Sequence, residues 1–315
     1  MTAHKRILLL GATGTIGRAT LAALQAAGHH VTCLTRPGPL APNTVQAEVT
    51  DPAQLTRAIH SQPFDAIVSC MASRSGTQRD SWAIDHAAHL TALRAAQSAK
   101  IPQFVLLSAI CVQKPLLAFQ HAKLAFEAEL ATSGLTYSIV RPTAYFKSLS
   151  GQLGRLRAGK SFLLFADGQL TACKPISDGD LGRYMTQCLT DSGLHNRILP
   201  IGGPGPAMTP RQQGEELFRL MGIKPKFSHV PVRLLSTIIA VLDTLGRLAP
   251  RLKDKADLAR IGRYYATESM LVWNPETKAY DADATPETGS ETLFDFYAKL
   301  VRGEAAVDRG EHAVF

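Results

Sequence analysis

The sequence predicts an α/β protein: a doubly wound parallel sheet with a smaller C-terminal lobe. Three observations predict it. Strand-length apolar runs alternate with helix-length segments through the first 145 residues. A glycine-rich turn joins the first strand to the first helix. After Arg141-Pro142 the alternation loosens.

The elements follow in order. "KRILLL" reads as a buried strand and "TIGRATLAALQAAG" as a helix closed by Gly28. "HHVTCLTR" is the second strand. "DPAQLTRAIHS" is a helix, because Asp-Pro marks a helix start. "FDAIVSC" is a strand, about 79–99 a helix and "QFVLLSA" a strand. A helix carrying Phe119 and Lys123 comes next, then the strand "TYSIV". "GRLRAGKSFLLFADGQLTACKPIS" reads as short strands and turns, and "DGDLGRYMTQCLTD" as a helix. "RILPIGG" returns to the sheet, and "TPRQQGEELFRLMG" is a helix with Pro210 at its start. The expected division is a core over 1–145 and a lobe over 146–315, with one return strand at about 197–203. The lobe is expected over the carboxyl ends of the strands. In 234–248, Leu234, Ile238, Val241, Leu242, Leu245 and Leu248 fall on one helical face. That face is expected to pack on the lobe, the alternatives being a wall of an apolar pocket or a membrane-surface contact.

"GATGTIGR", Gly11 to Arg18, carries the strongest local signal. Gly11 permits a tight turn, Gly14 lets backbone approach a pyrophosphate, and Gly17 allows close helix packing. The helix amino-terminus offers free N–H groups and a positive dipole end to phosphates. A strand before and a helix after make this a Rossmann-type dinucleotide site, so Thr13, Thr15 and Ile16 are also counted as cofactor contacts. NAD sites carry an acid at the end of the second strand, but this strand ends "CLTRPG", with Arg36 and no acid. A guanidinium there suits a 2′-phosphate, so NADPH is the expected cofactor, with Arg18 assisting. Glu48 is placed to accept from the adenine amino group, and Met71 and Ala72 to pass beside the nicotinamide ribose.

Of the 315 residues 45% are hydrophobic and 19% charged, ample for a large core. The formal net charge is +8, but the 34 basic residues form no block and are not interleaved with aromatics, which argues against nucleic acid. The positive balance favours approach of an anionic ligand. Five scattered cysteines, without C-x-x-C, read as reduced thiols in a cytoplasm-like compartment. No metal-ligand spacing is present; His86 and His89 in "DHAAH" lack further ligands. The opening residues show neither a signal peptide nor a transit peptide, and 234–248 is too short to span a membrane.

Where short-chain dehydrogenases carry Tyr-x-x-x-Lys, this chain has Lys123 with Phe119 four residues before it. The sequence resembles the atypical short-chain dehydrogenase group, including NmrA-like and isoflavone-reductase-like proteins. A nearer resemblance lies in "FVLLSAICVQKPLLAFQHAKLAFEAEL", "TYSIVRPTAYFKSLSGQ", "DGQLTACKPIS", "LPIGGPG" and "IGRYYATESMLVWNPET". These blocks are similar to the NADPH-dependent divinyl chlorophyllide a 8-vinyl reductases of plants and phototrophic bacteria, from about residue 5 to beyond 300. The missing transit peptide points to the bacterial form and a cytoplasmic site, with peripheral membrane contact open.

The resemblance implies reduction of the 8-vinyl group of a divinyl tetrapyrrole to ethyl. A vinyl group has no oxygen for a tyrosine to protonate. Hydride adds to the terminal vinyl carbon, charge spreads into the macrocycle, and a proton returns to the adjacent carbon. The protein supplies orientation and a dry pocket. Lys123 is the expected ribose contact, its alternative being a surface lysine paired with Glu127. Ser108 aligns with the usual active-site serine. Tyr145 is a candidate proton donor or a wall for the macrocycle; Cys111 and solvent stay open as donors. Pro142 and Thr143 are expected beside the cofactor. Phe119, Tyr145 and Phe146 are expected to line the substrate pocket, with Lys147 and Lys174 as candidate rim cations. Two readings without turnover remain: an NADP-binding pigment carrier or assembly factor, and an NmrA-like redox sensor.

Overall fold

The computed structural model describes residues 4–39, 41–246, 249 and 251–306. The chain divides into two compact units. The first comprises Met1–Arg74, Gln78–Pro142 and Asp178–Ile201; the second comprises Ser75–Thr77, Thr143–Ser177 and Gly202–Phe315.

The first unit opens with β1 (Arg6–Leu10), whose last four residues are buried, as a strand covered on both faces requires. It continues through α1 (Thr15–Ala26), β2 (His30–Thr35), β3 (Thr44–Gln46) and α2 (Pro52–Ile59). Asp51 caps α2 by accepting from the N–H groups of Ala53 (2.9 Å) and Gln54 (3.1 Å), and Pro52 follows where no N–H is needed. After β4 (Ala66–Ser69), the single helix expected near 79–99 is three pieces. They are α3 (Gln78–Ser81), a π-helical stretch Trp82–Ala88, and α4 (His89–Ser98). Then come β5 (Gln103–Leu107), α5 (Ala118–Ala131) and β6 (Thr136–Pro142).

In the second unit, α6 (Phe146–Leu149), α7 (Leu153–Arg157) and β7 (Phe162–Phe165) precede the return of the chain to the first unit. That return brings α8 (Asp178–Gln187) and β8 (Arg197–Ile201). α8 falls within the span expected of the lobe, but it belongs to the first unit and packs along α1. A Cβ at Gly182 would stand 2.7 Å from the backbone of Ala19, so only glycine admits this approach.

All seven strands of the first unit pair in parallel, in the order β3-β2-β1-β4-β5-β6-β8. The direction of winding reverses between β1 and β4, so their carboxyl ends flank the crevice where such sheets bind ligands. Leu8, Leu10, Ile67, Phe104 and Phe126 form the centre of this core.

The second unit adds α9 (Pro210–Met221), β9 (Phe227–Val230), α10 (Val232–Gly246), α11 (Arg251–Thr267), β10 (Val272–Asn274), β11 (Ala279–Asp281) and α12 (Leu293–Arg302). Thr209 and Gln212 form a reciprocal capping box at the start of α9, ahead of Pro210. β7 pairs with β9 in parallel, and β10 with β11 antiparallel. Phe146, Phe162, Leu217, Phe218 and Tyr297 share its core.

The apolar row on α10 is turned outward, contrary to the packing expected of it. Leu234, Ile238, Val241 and Leu245 are exposed, and the buried side is carried by Ile239 and Gly246. Leu242 is half-buried, and Leu248 lies outside the described residues. Among the described residues no helix is long and apolar enough to cross a membrane.

Candidate functional site

The turn after β1 is built by backbone contact. Gly11 has φ +74°, and a Cβ on it would meet the Cys70 carbonyl and the Met71 nitrogen at 2.7 Å. Gly17 is tighter: its Cβ would stand 2.0 Å from the Gly11 carbonyl oxygen. The sequence reading assigned Gly17 to packing of helix on sheet; its actual neighbours are Gly11 and Ala12 of the turn. Gly14, which precedes α1, is different, because its Cβ would find only the Gly11 oxygen, at 3.4 Å. The space over Gly14 is therefore open, and Gly14 itself brings no capping side chain to the start of α1. This is an arrangement a pyrophosphate fits. Arg18 folds back to donate to the Thr13 carbonyl at 3.0 Å.

β2 lies beside β1, so its end reaches the same edge as the turn, and Arg36 stands exposed just after it. Glu48, half-buried beyond β3, accepts from the Thr50 hydroxyl at 3.2 Å. Ala72 is exposed, whereas Met71 sends its side chain into the core and presents only backbone near Gly11.

Lys123 is not a surface lysine, and its partner is not Glu127. Its Nζ lies 3.0 Å from Asp85 Oδ1, with the Asp85 side chain fully buried. Gln120 sets the start of α5 by accepting from the N–H groups of Leu116 and Leu117 and donating to the Cys111 carbonyl. Glu127 is buried and pairs with Arg141 from β6. The Ser108 hydroxyl donates to that same carboxylate. Ser108 and Lys123 thus belong to two separate buried networks. Phe119 is half-buried on α5.

His89 is buried and close enough to Lys123 to feel its charge. The Ile84 carbonyl can only accept, so His89 Nδ1 (2.8 Å) carries the proton, and Nε2 accepts from the Ser69 hydroxyl at 2.8 Å. Burial, then the Lys123 charge, pushes its pKa down to about 4. The folded value lies below the ordinary 6.5, so below that pH the unfolded chain binds the extra proton. Stability is therefore expected to be full above pH 6.5 and to fall by about 2 kcal/mol by pH 5. Urea unfolding at both pH values, with His89→Gln losing this part of the dependence, checks it.

Pro142 ends β6 in the first unit. In the second unit, Thr143 donates its hydroxyl to the Lys174 carbonyl, and Tyr145 is half-buried ahead of α6. Phe146 is not a pocket wall: it is 2% exposed and packs on Phe296 at 5.4 Å. Lys174 is engaged by the Thr285 carbonyl at 3.3 Å and by Glu287 at 3.5 Å. Lys147 is half-buried. Sequence reasoning missed Asp85, Gln120 and the Glu127–Arg141 pair. The available signal was an acid in "SWAID", at a position whose helical neighbours Ser81 and Ala88 are also interior. Among the described residues no cluster suits a metal.

The NAD(P)H-binding family model matches residues 11–192. The chain is 47% identical to the chloroplastic divinyl chlorophyllide a 8-vinyl-reductase of Oryza sativa subsp. indica, across 98% of this chain and 82% of that protein. The Zea mays protein of the same name is 46% identical, with the same coverage of 98% and 82%. Among solved structures, the NADPH-dependent quinone oxidoreductase of Escherichia coli, complexed with NADPH, superposes with a TM-score of 0.64. The match covers 95% of this chain and 99% of that one at 18% identity, a likeness of fold. Identity of this level along nearly the whole length shows that the chain belongs to the divinyl chlorophyllide a 8-vinyl-reductase family.

Proposed function

We propose that this protein reduces the 8-vinyl group of divinyl chlorophyllide a, or a closely related divinyl tetrapyrrole, to ethyl, with NADPH as reductant, in chlorophyll-type pigment synthesis. The observation that carries this reading is the 47% identity to a reductase of that name along 98% of the chain. The chemistry of the site agrees. When bound, NADPH supplies a hydride, and the vinyl group takes up that hydride and one proton to become ethyl. No carbonyl oxygen is involved, which suits a helix α5 that keeps Lys123 and carries Phe119 in place of a phenol. The turn at Gly11–Gly17 and the first N–H groups of α1 hold the pyrophosphate. Lys123, fixed by Asp85, holds the nicotinamide ribose.

Arg36 holds the 2′-phosphate. Arg36→Glu is expected to weaken NADPH about 10- to 100-fold while leaving NADH little changed, the range of one lost charge-assisted contact. Fluorescence titration with both nucleotides measures it; equal loss of both would remove Arg36 from the phosphate site.

The test of the whole reading is purified protein with divinyl chlorophyllide a and NADPH, followed by the Soret band and product chromatography. Conversion to the 8-ethyl pigment that requires NADPH is the expected result. Tight binding of pigment and NADPH without conversion would overturn the reductase reading in favour of a carrier.

A further inference from the structure

Two buried polar atoms of the helical stretch that packs on α5 have no hydrogen-bond partner among the described residues: Asp85 Oδ2 and Ser81 Oγ. Ser81 is 0% and Asp85 1% exposed, so bulk solvent does not serve either atom. An ionised carboxylate accepts about four hydrogen bonds. Asp85 Oδ1 takes Lys123 Nζ at 3.0 Å and the Ser73 N–H at 3.3 Å, which leaves all the capacity of Oδ2 unused. Ser81 and Asp85 are four residues apart, about one turn, at the point where α3 passes into the π-helical stretch. Such a widened turn re-aims side chains and recurs at functional sites. A buried pair of unserved polar atoms is costly, and an internal water with two to four polar partners is the common remedy.

We propose that Asp85 and Ser81 are positioning residues for Lys123, and that together they hold one internal water against the lysine ammonium. The water donates to Asp85 Oδ2 and exchanges a second hydrogen bond with Ser81 Oγ. Lys123 has three N–H bonds, of which the Asp85 contact uses one, so it can bond this water and still present a hydrogen to a ligand hydroxyl. In relatives with Tyr-x-x-x-Lys a phenol stands four residues before the lysine. Here that position is Phe119, which offers no hydrogen bond. The facing helix supplies the restraint instead, through a carboxylate and a hydroxyl one turn apart. The proposal rests on the reading of Lys123 as a contact to the nicotinamide ribose.

The experiment compares NADPH with adenosine 2′,5′-bisphosphate, which has the adenine half of the cofactor and lacks the nicotinamide ribose. Dissociation constants are measured by calorimetry for the wild type, Asp85→Asn, Ser81→Ala and Lys123→Met. Asp85→Asn is expected to weaken NADPH about tenfold and Ser81→Ala about threefold, the direct or water-mediated loss of one or two hydrogen bonds. Neither should change the affinity for the bisphosphate. Asp85→Asn should also cost nothing further in the Lys123→Met background. Equal weakening of both ligands would make the two residues merely structural and overturn the proposal, as would no weakening of either. If Lys123→Met binds NADPH like the wild type, the ribose reading of Lys123 itself has failed and takes the proposal with it. A high-resolution crystal structure should show the water between Asp85 Oδ2 and Ser81 Oγ; a direct bond between those atoms would overturn the water-mediated arrangement.

Discussion

Lys123→Met is expected to lower the folding free energy by about 3–5 kcal/mol, because it strands the Asp85 carboxylate without its counter-charge in a fully buried position. The effect is that of an uncompensated charge, not of lost packing, since methionine keeps most of the lysine stem. A second substitution separates the two. Asp85→Leu in the Lys123→Met background removes the stranded charge and should recover most of the stability, as buried ion pairs replaced by apolar residues commonly do. Cofactor affinity should not return with it. Urea unfolding read by circular dichroism, alongside NADPH titration, gives both quantities. A single variant as stable as the wild type would mean that the contact between Lys123 and Asp85 contributes nothing to the fold.

The second large effect separates two glycines of one motif. Gly17→Ala places a methyl carbon 2.0 Å from the Gly11 carbonyl oxygen, a contact relieved only by moving the turn away from α1. It should cost about 3 kcal/mol or more, in the range of severe overpacking, and abolish cofactor binding with it. Gly14→Ala meets the same oxygen at 3.4 Å, an ordinary contact, and should fold with nearly unchanged stability. Its methyl occupies the space that a pyrophosphate needs, so NADPH affinity should fall by at least tenfold while the melting temperature holds. Thermal melts with and without NADPH read both. If Gly14→Ala binds NADPH normally, the phosphate does not lie over this residue.

The parallel sheet and its glycine turn were legible because each depends on local pattern. β1 and β4 are short apolar runs, and "GATGTIGR" sits directly between a strand and a helix. Asp51-Pro52 and Thr209-Pro210 announced their helices through capping that acts within a single turn. The partners of Lys123 and Ser108 were not legible, because they are set by which helices meet. From sequence, Glu127 lies four residues from Lys123 and is the obvious partner. The fold turns Glu127 toward Arg141 and Ser108, and gives Lys123 an acid 38 residues upstream instead. Phe146 and α10 failed for a related reason. The resemblance offers Phe146 to a pocket without naming the side chains around it, and it lies in a core; periodicity likewise identifies an apolar face without naming the surface it meets. The α10 row, expected on the lobe with a pocket wall or a membrane surface as alternatives, lies outside.

The direction of one proton at Ser108 bears on how readily such a scaffold changes trade. A serine hydroxyl has a single hydrogen, and here Glu127 receives it. What is left to a visitor is a pair of lone pairs, which welcomes an N–H or O–H and turns away a carbonyl oxygen. Restoring a tyrosine at Phe119 would therefore return only half of what a ketone reductase needs. Glu127, whose charge Arg141 neutralises, acts as a lock on the serine, and a laboratory lineage evolved toward ketones would have to break that lock before a phenol could help.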